Sequence, residues 1–96
     1  MKYAFIIMDN FNPKQDRAYI HNDNAQIIGV SNIDEACNVA KGLLKDNIDC
    51  IELCGAFGSD GAKKIIDATN NSIPIGYVTH LKEQDELFNK TFAEKH

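Results

Sequence analysis

The stretch from Ile48 to Gly61 reads I-D-C-I-E-L-C-G-A-F-G-S-D-G, so that a carboxylate at Glu52 lies between thiols at Cys50 and Cys54, and glycines follow at 55, 58 and 61. An apolar run that stops at glycine and feeds a new helix frees backbone N–H groups and turns the positive helix end outward, which suits an anion or another polar molecule. The spacing matches neither the dinucleotide pattern G-x-G-x-x-G nor the phosphate loop, which ends in G-K-[ST], so no nucleotide and no cofactor is expected. Glycine also serves a tight strand-to-helix connection for its own sake. Gly61 is the more informative one: inside a first helical turn it costs roughly 1 kcal/mol relative to alanine. It therefore marks a close approach of the backbone, either to a ligand or to a packed neighbour.

Glu52, Cys54 and His80 are the candidate catalytic residues: an acid, a thiol and an imidazole suit acid–base or thiol chemistry on a small anionic or carbonyl compound. Asp9, Gly55, Ala56, Phe57, Gly58, Ser59, Tyr77 and Thr79 are the candidate ligand-binding positions around them. Each has a plainer role beside the chemical one. Glu52 reaches the sheet edge or pairs with a base, and Cys54 is either a thiolate favoured by the helix start or a small packed residue. His80 is a base or a surface side chain at a strand end, and Asp9 a ligand or the start of a turn. Phe57 closes a pocket or is exposed, and Tyr77 faces the cleft or belongs to core or interface. No metal site is expected. Cys50 and Cys54 in one strand lie about 13 Å apart, too far to share a zinc bound at about 2.3 Å.

These groups meet only if the right elements carry them. Lys2 to Met8 is apolar at nearly every position, the pattern of a central parallel strand covered on both faces. Asp9 to Asp16 is a loop with Phe11 as its one large apolar residue, able to fold over a site. Arg17 to His21 and Ala25 to Val30 form strands around the turn Asn22-Asp23-Asn24. Ser31 opens a helix as N-cap, with Ile33, Ala36, Cys37, Ala40 and Leu44 as its apolar stripe and Asn47 as C-cap. Ile48 to Cys54 returns as a strand with Ile51 and Leu53 on one face and Cys50, Glu52 and Cys54 on the other. Ser59 caps a second helix that buries Ala62, Ile65, Ile66 and Thr69. Ser72 to Val78 is the last strand, with Pro74 near its start. Lys82 to Ala93, amphipathic through Leu87, Phe88 and Phe92, is a helix lying on the domain or on a partner chain.

The fold class this predicts is a small α/β domain spanning residues 1–96, with a mainly parallel or mixed sheet of four or five strands and three helices. Parallel strands put Asp9, Ser31, Cys54 with Gly55, and Thr79 with His80 at one sheet edge, where open α/β proteins take ligands. Successive right-handed crossovers in one direction leave the opposite face bare, so self-association as a homodimer or larger assembly is expected. The balance of 10 basic against 14 acidic residues, net −4, argues against nucleic acid or an anionic membrane as partner. There is no export signal and no apolar run near about 18 residues, so a cytoplasmic protein is expected. Three cysteines, an odd number without such a signal, read as reduced thiols.

The opening K-Y-A-F-I-I-M, the I-I-G-V-S that ends at Ser31, the I-E-L-C-G-A-F-G from Ile51 to Gly58 and the I-P-I-G-Y-V-T-H from Ile73 to His80 together resemble a family of short prokaryotic proteins catalogued as a domain of unknown function. The resemblance covers nearly the whole chain and implies a compact single-domain α/β protein. It carries no activity with it. The residues themselves support two classes: a protein that binds a small polar or anionic molecule, with enzyme chemistry at Glu52, Cys54 and His80 left open, or a non-catalytic homo-oligomeric structural or regulatory module.

Overall fold

The structure, a computed structural model, describes residues 1–95. Three strands in succession, β1 (Tyr3–Met8), β2 (Arg17–Ile20) and β3 (Ala25–Val30), precede helix α1 (Ile33–Lys45), after which β4 (Cys50–Leu53), α2 (Gly58–Ala68), β5 (Ile75–Tyr77) and α3 (Asp85–Lys95) alternate. The strands form one sheet in the order β2-β3-β1-β4-β5. All neighbours run parallel except β2 and β3, which make an antiparallel hairpin. The hairpin turns through His21, Asn22 and Asp23, all at positive φ, a conformation that short polar side chains adopt at low cost.

The register explains the core. Ile6 lies beside Ile28 on one side and Leu53 on the other, and Ala4 beside Ile51, so the middle of one sheet face is aliphatic and buried. Against it pack Ala36, Ala40 and Leu43 of α1 and Ala62 and Ile65 of α2. Each large aliphatic side chain so buried stabilises the domain by about 1.5–3 kcal/mol. The chain moves from β3 over β1 to β4 and on to β5 in one direction, and two right-handed crossovers of that kind place both helices on the same face.

Local hydrogen bonding sets the helix ends, one residue from the sequence expectation at the start of α1 and two at the start of α2. Asn32, not Ser31, caps α1: its side-chain oxygen accepts from the Glu35 N–H at 2.8 Å. The Glu35 carboxylate reaches back to the Ser31 N–H and hydroxyl at 2.7 and 2.8 Å, so Ser31 is the residue held and Asn32 the residue that holds. Asn47 does take the left-handed conformation, φ 62°, and the Ile48 N–H returns to the Leu43 carbonyl, which closes α1 in a Schellman turn. Ser59 is not a cap. A 3-10 turn over Gly55–Phe57 leads through Gly58, at φ 62°, into α2, which starts without a side-chain cap.

β5 is shorter than the sequence indicates because Ser72 belongs to the preceding turn. Asn70 and Asn71 both take positive φ, and the Ser72 N–H and hydroxyl donate to the Thr69 carbonyl. Gly61 is explained by packing: a Cβ there would stand 3.1 Å from Phe57 and 3.2 Å from Ile33. It lets α2 close on α1. Among the described residues, no helix is long and apolar enough to cross a membrane.

The opposite face of the sheet carries Tyr3, Phe5, Ile7, Ile20, Ile27, Cys50 and Glu52 by alternation. Phe11, from the loop after β1, sits directly on Gly29 of this face. α3 stands over its carboxyl end.

Candidate functional site

A cavity of about 700 Å³ opens between α3 and the carboxyl ends of β1, β4 and β5. The strand side of its lining comprises Ile7, Met8, Asp9, Cys54, Gly55, Ala56 and Tyr77 through His80, with Phe11 from the loop; α3 supplies Phe88, Asn89 and Phe92. Parallel β1, β4 and β5 bring these distant segments to one edge, the position open α/β sheets offer to ligands.

Of the positions singled out from the sequence, Asp9, Cys54, Gly55, Ala56, Tyr77, Thr79 and His80 line this cavity. Glu52, Phe57, Gly58 and Ser59 do not. Phe57 is only 5% exposed and belongs to the core, because the 3-10 turn swings its ring under α2. Gly58 and Ser59 lie past that turn, so the start of α2 is not presented to the cavity. Glu52 lies on the open sheet face, its carboxylate folded over Gly76, where an added Cβ would meet Oε2 at 2.7 Å. The α3 residues had one signal in the sequence, the four-residue spacing of Phe88 and Phe92, but nothing local tells a helix which edge to dock on.

The chemical groups are tied into the frame. The Met8 N–H donates to Cys54 Sγ at 3.3 Å, which provides for the last donor of β1 where β4 ends. His80 Nε2 lies 2.7 Å from Asp85 Oδ1, and its ring stacks on Phe88 with centroids 3.9 Å apart and planes within 6°. The imidazole thus fastens α3 to the end of β5. Asp9 continues the sheet by donating its N–H to the Val30 carbonyl, and its carboxylate accepts from the Asn10 N–H at 2.8 Å. Among the described residues no hydrogen bond joins Cys54 to His80; each is held by another partner.

The electrostatics favour some occupants over others. Among the described residues Asp9 is the one carboxylate of the lining, and no lysine or arginine contributes to it. Most of the wall is apolar or aromatic, as is usual for small-molecule pockets of about 300–1,000 Å³. The thiol perturbations lie elsewhere. Burial pushes the Cys50 thiol up, helped by the Glu52 carboxylate that it faces at 3.8 Å. Burial likewise pushes Cys37 up, followed by Asp34, where the thiol meets the Lys64 carbonyl. All three cysteines are free. Among the described residues no three His, Cys, Asp or Glu side chains gather to hold a metal ion. A smaller cleft of about 360 Å³, between Pro13, Lys14, Arg17 and α1, contains none of the singled-out positions.

Fold and cavity together define a small mixed-sheet α/β domain with an aromatic-walled recess under its last helix. The chain belongs to a family of unknown function (DUF6506), whose profile matches residues 1–93. No curated protein and no solved structure matches it.

Proposed function

We propose that this protein binds a small, largely apolar molecule bearing a neutral or cationic polar group, in the recess between α3 and the carboxyl edge of the sheet. The observation that carries the reading is the composition of a cavity of about 700 Å³: aromatic walls from Tyr77, Phe88 and Phe92, with Asp9 as its carboxylate. The sequence expectation of a polar ligand is kept and that of an anion is not, because among the described residues of the lining Asp9 has no lysine or arginine beside it and would repel negative charge. Binding, not turnover, is the activity proposed: Cys54 accepts from Met8 and His80 is engaged by Asp85. The three free thiols support work in the reducing cytoplasm of a prokaryotic cell.

The test uses a neutral apolar fluorophore, N-phenyl-1-naphthylamine, and two indole probes of opposite charge. The fluorophore should bind the wild type and fail to bind Ala56→Trp, which fills the recess from an exposed position. Tryptamine should displace it more effectively than indole-3-acetate, and Asp9→Asn should erase that preference. Fluorophore binding that Ala56→Trp leaves untouched, or a preference for the carboxylate, would overturn the proposal.

A further inference from the structure

Of the six glycines, Gly29, Gly61 and Gly76 make room for Phe11, Phe57 and Glu52, Gly55 makes room for the Val78 carbonyl, and Gly58 takes φ 62°. Gly42 has no such reason. It stands inside α1, its φ is not positive, and a Cβ added there would meet nothing within 4 Å beyond its own helix. Glycine weakens a helix interior more than any residue but proline. A side chain would fit at this position and strengthen α1, so nothing within the fold asks for the bare backbone.

Gly42 lies on the floor of the cleft of about 360 Å³ between α1 and the segment leading into β2, a volume within the roughly 300–1,000 Å³ of small-molecule sites. Glu35, Asn38, Gly42 and Asp46 follow one another along it at intervals of three and four. The cleft is therefore a groove down one side of α1, about 16 Å from end to end. Arg17 and Lys14 stand at the start of the helix, because Arg17 pairs with Ile28 close to the point where β3 ends and the chain turns into α1. Asp46 stands at the other end. Among the described residues Lys14, Arg17 and Asp46 form no ion pair, while the Glu35 carboxylate is turned back onto Ser31. The groove has open cations at one end and an open carboxylate at the other, in the same sense as the dipole of α1.

We infer that this groove binds a short peptide with free termini, its carboxylate at Lys14 and Arg17, its ammonium at Asp46 and its backbone laid against Gly42. A tripeptide extended at about 3.3 Å per residue spans about 10 Å, which leaves the rest of the groove to the charged side chains that meet its ends. A simple anion would face Asp46, and a simple cation would face Lys14 and Arg17. A molecule with both charges held apart satisfies all three residues. The missing Cβ lets the peptide backbone come close to the helix, a recurrent use of glycine. The groove shares no residue with the recess under α3, so the inference is independent of what that recess binds.

Titration of the full chain with tri-alanine, followed by the amide resonances of α1, tests it. Saturable shifts around Gly42 are expected with the free peptide. Amidating its carboxylate or acetylating its amine should each weaken binding about fivefold, the upper end for an exposed pair. Lys14→Gln combined with Arg17→Gln should abolish the effect of amidation, and Asp46→Asn that of acetylation. Gly42→Leu should raise the Tm by roughly 3–6 °C yet weaken tri-alanine about tenfold or more, with N-phenyl-1-naphthylamine bound as before. An absence of saturable shifts, equal binding of the free and blocked peptides, or a Gly42→Leu chain that binds tri-alanine like the wild type would refute the inference. So would a Gly42→Leu chain whose one change is a lower sedimenting mass, since the occupant would then be a second copy.

Discussion

Replacing Gly29 by alanine isolates the contact that lays the first loop over the sheet. Gly29 is buried and its φ is not positive, so its backbone accepts alanine; the obstacle is a neighbour. The new Cβ would lie 2.6 Å from both Cβ and Cγ of Phe11 and 2.9 Å from its Cδ2. A collision at Cβ cannot be relieved by rotating the ring, so the loop itself must move. That loop is tied down where the Gly29 N–H donates to the Asp16 carbonyl at 2.8 Å and the Asn12 N–H to the Asp16 carboxylate at 2.7 Å. Overpacking of this kind costs about 1–3 kcal/mol, against about 0.4–1 kcal/mol gained by restricting the unfolded chain. The net loss of about 1–2 kcal/mol corresponds to a fall in Tm of roughly 5–15 °C for a domain of this size. Phe11→Ala alone, from a residue 37% exposed, should cost about 1–2 kcal/mol of burial. In the double variant the collision is gone, so it should be no less stable than Phe11→Ala, with a coupling of about 1–2 kcal/mol. Calorimetric unfolding of the four proteins gives the cycle. If the two losses simply add, Phe11 does not rest on Gly29 and the account of the loop is wrong.

Three further outcomes concern His80 and the thiols. His80→Ala removes the 2.7 Å contact to Asp85 and the stack on Phe88; an exposed pair contributes about 0.2–1 kcal/mol and an aromatic stack about 0.5–1.5 kcal/mol. Amide exchange in α3 should therefore accelerate roughly 5–30-fold while β1 and β4 are unaffected, and equal acceleration in the sheet would contradict the latch. For the thiols, burial and carboxylate neighbours hold Cys37 and Cys50 above the ordinary value of 9.0, so the folded state prefers them protonated. Their contribution to stability is fully present below pH 9.0 and is lost as the pH rises past it. The wild type should lose stability in that range more steeply than a Cys37→Ala, Cys50→Ala variant. Glu52→Gln should speed alkylation of Cys50 at fixed pH below 9.0. Parallel stability profiles, or an unchanged rate, would count against this.

The alternation of Ile51 and Leu53 against Cys50, Glu52 and Cys54 was readable because strand periodicity is local, and so was the left-handed Asn47 that stops α1. So too was the meeting of Asp9, Cys54 and His80 at one edge, since parallel strands joined by helices leave few topologies. Phe57 was not readable as core. The 3-10 turn that rotates it inward is a choice between short-range geometries that glycine on either side leaves open. Nor was the cap: Ser31 and Asn32 are both competent, and only the position of the Glu35 side chain decides between them. The placement of α3 depends on the pairing of His80 with Asp85 and Phe88, a contact made across the turn before the helix, which no periodicity encodes.

The central position of β1 has a consequence during synthesis. Tyr3–Met8 precedes in the chain both of the partners it lies between, which end at Val30 and Leu53. At about 5–20 residues per second, the ribosome holds this segment without its second neighbour for roughly 2–10 s. One edge of Tyr3–Met8 stays unpaired over that interval, so the sheet cannot be completed outward from this strand but must close around it.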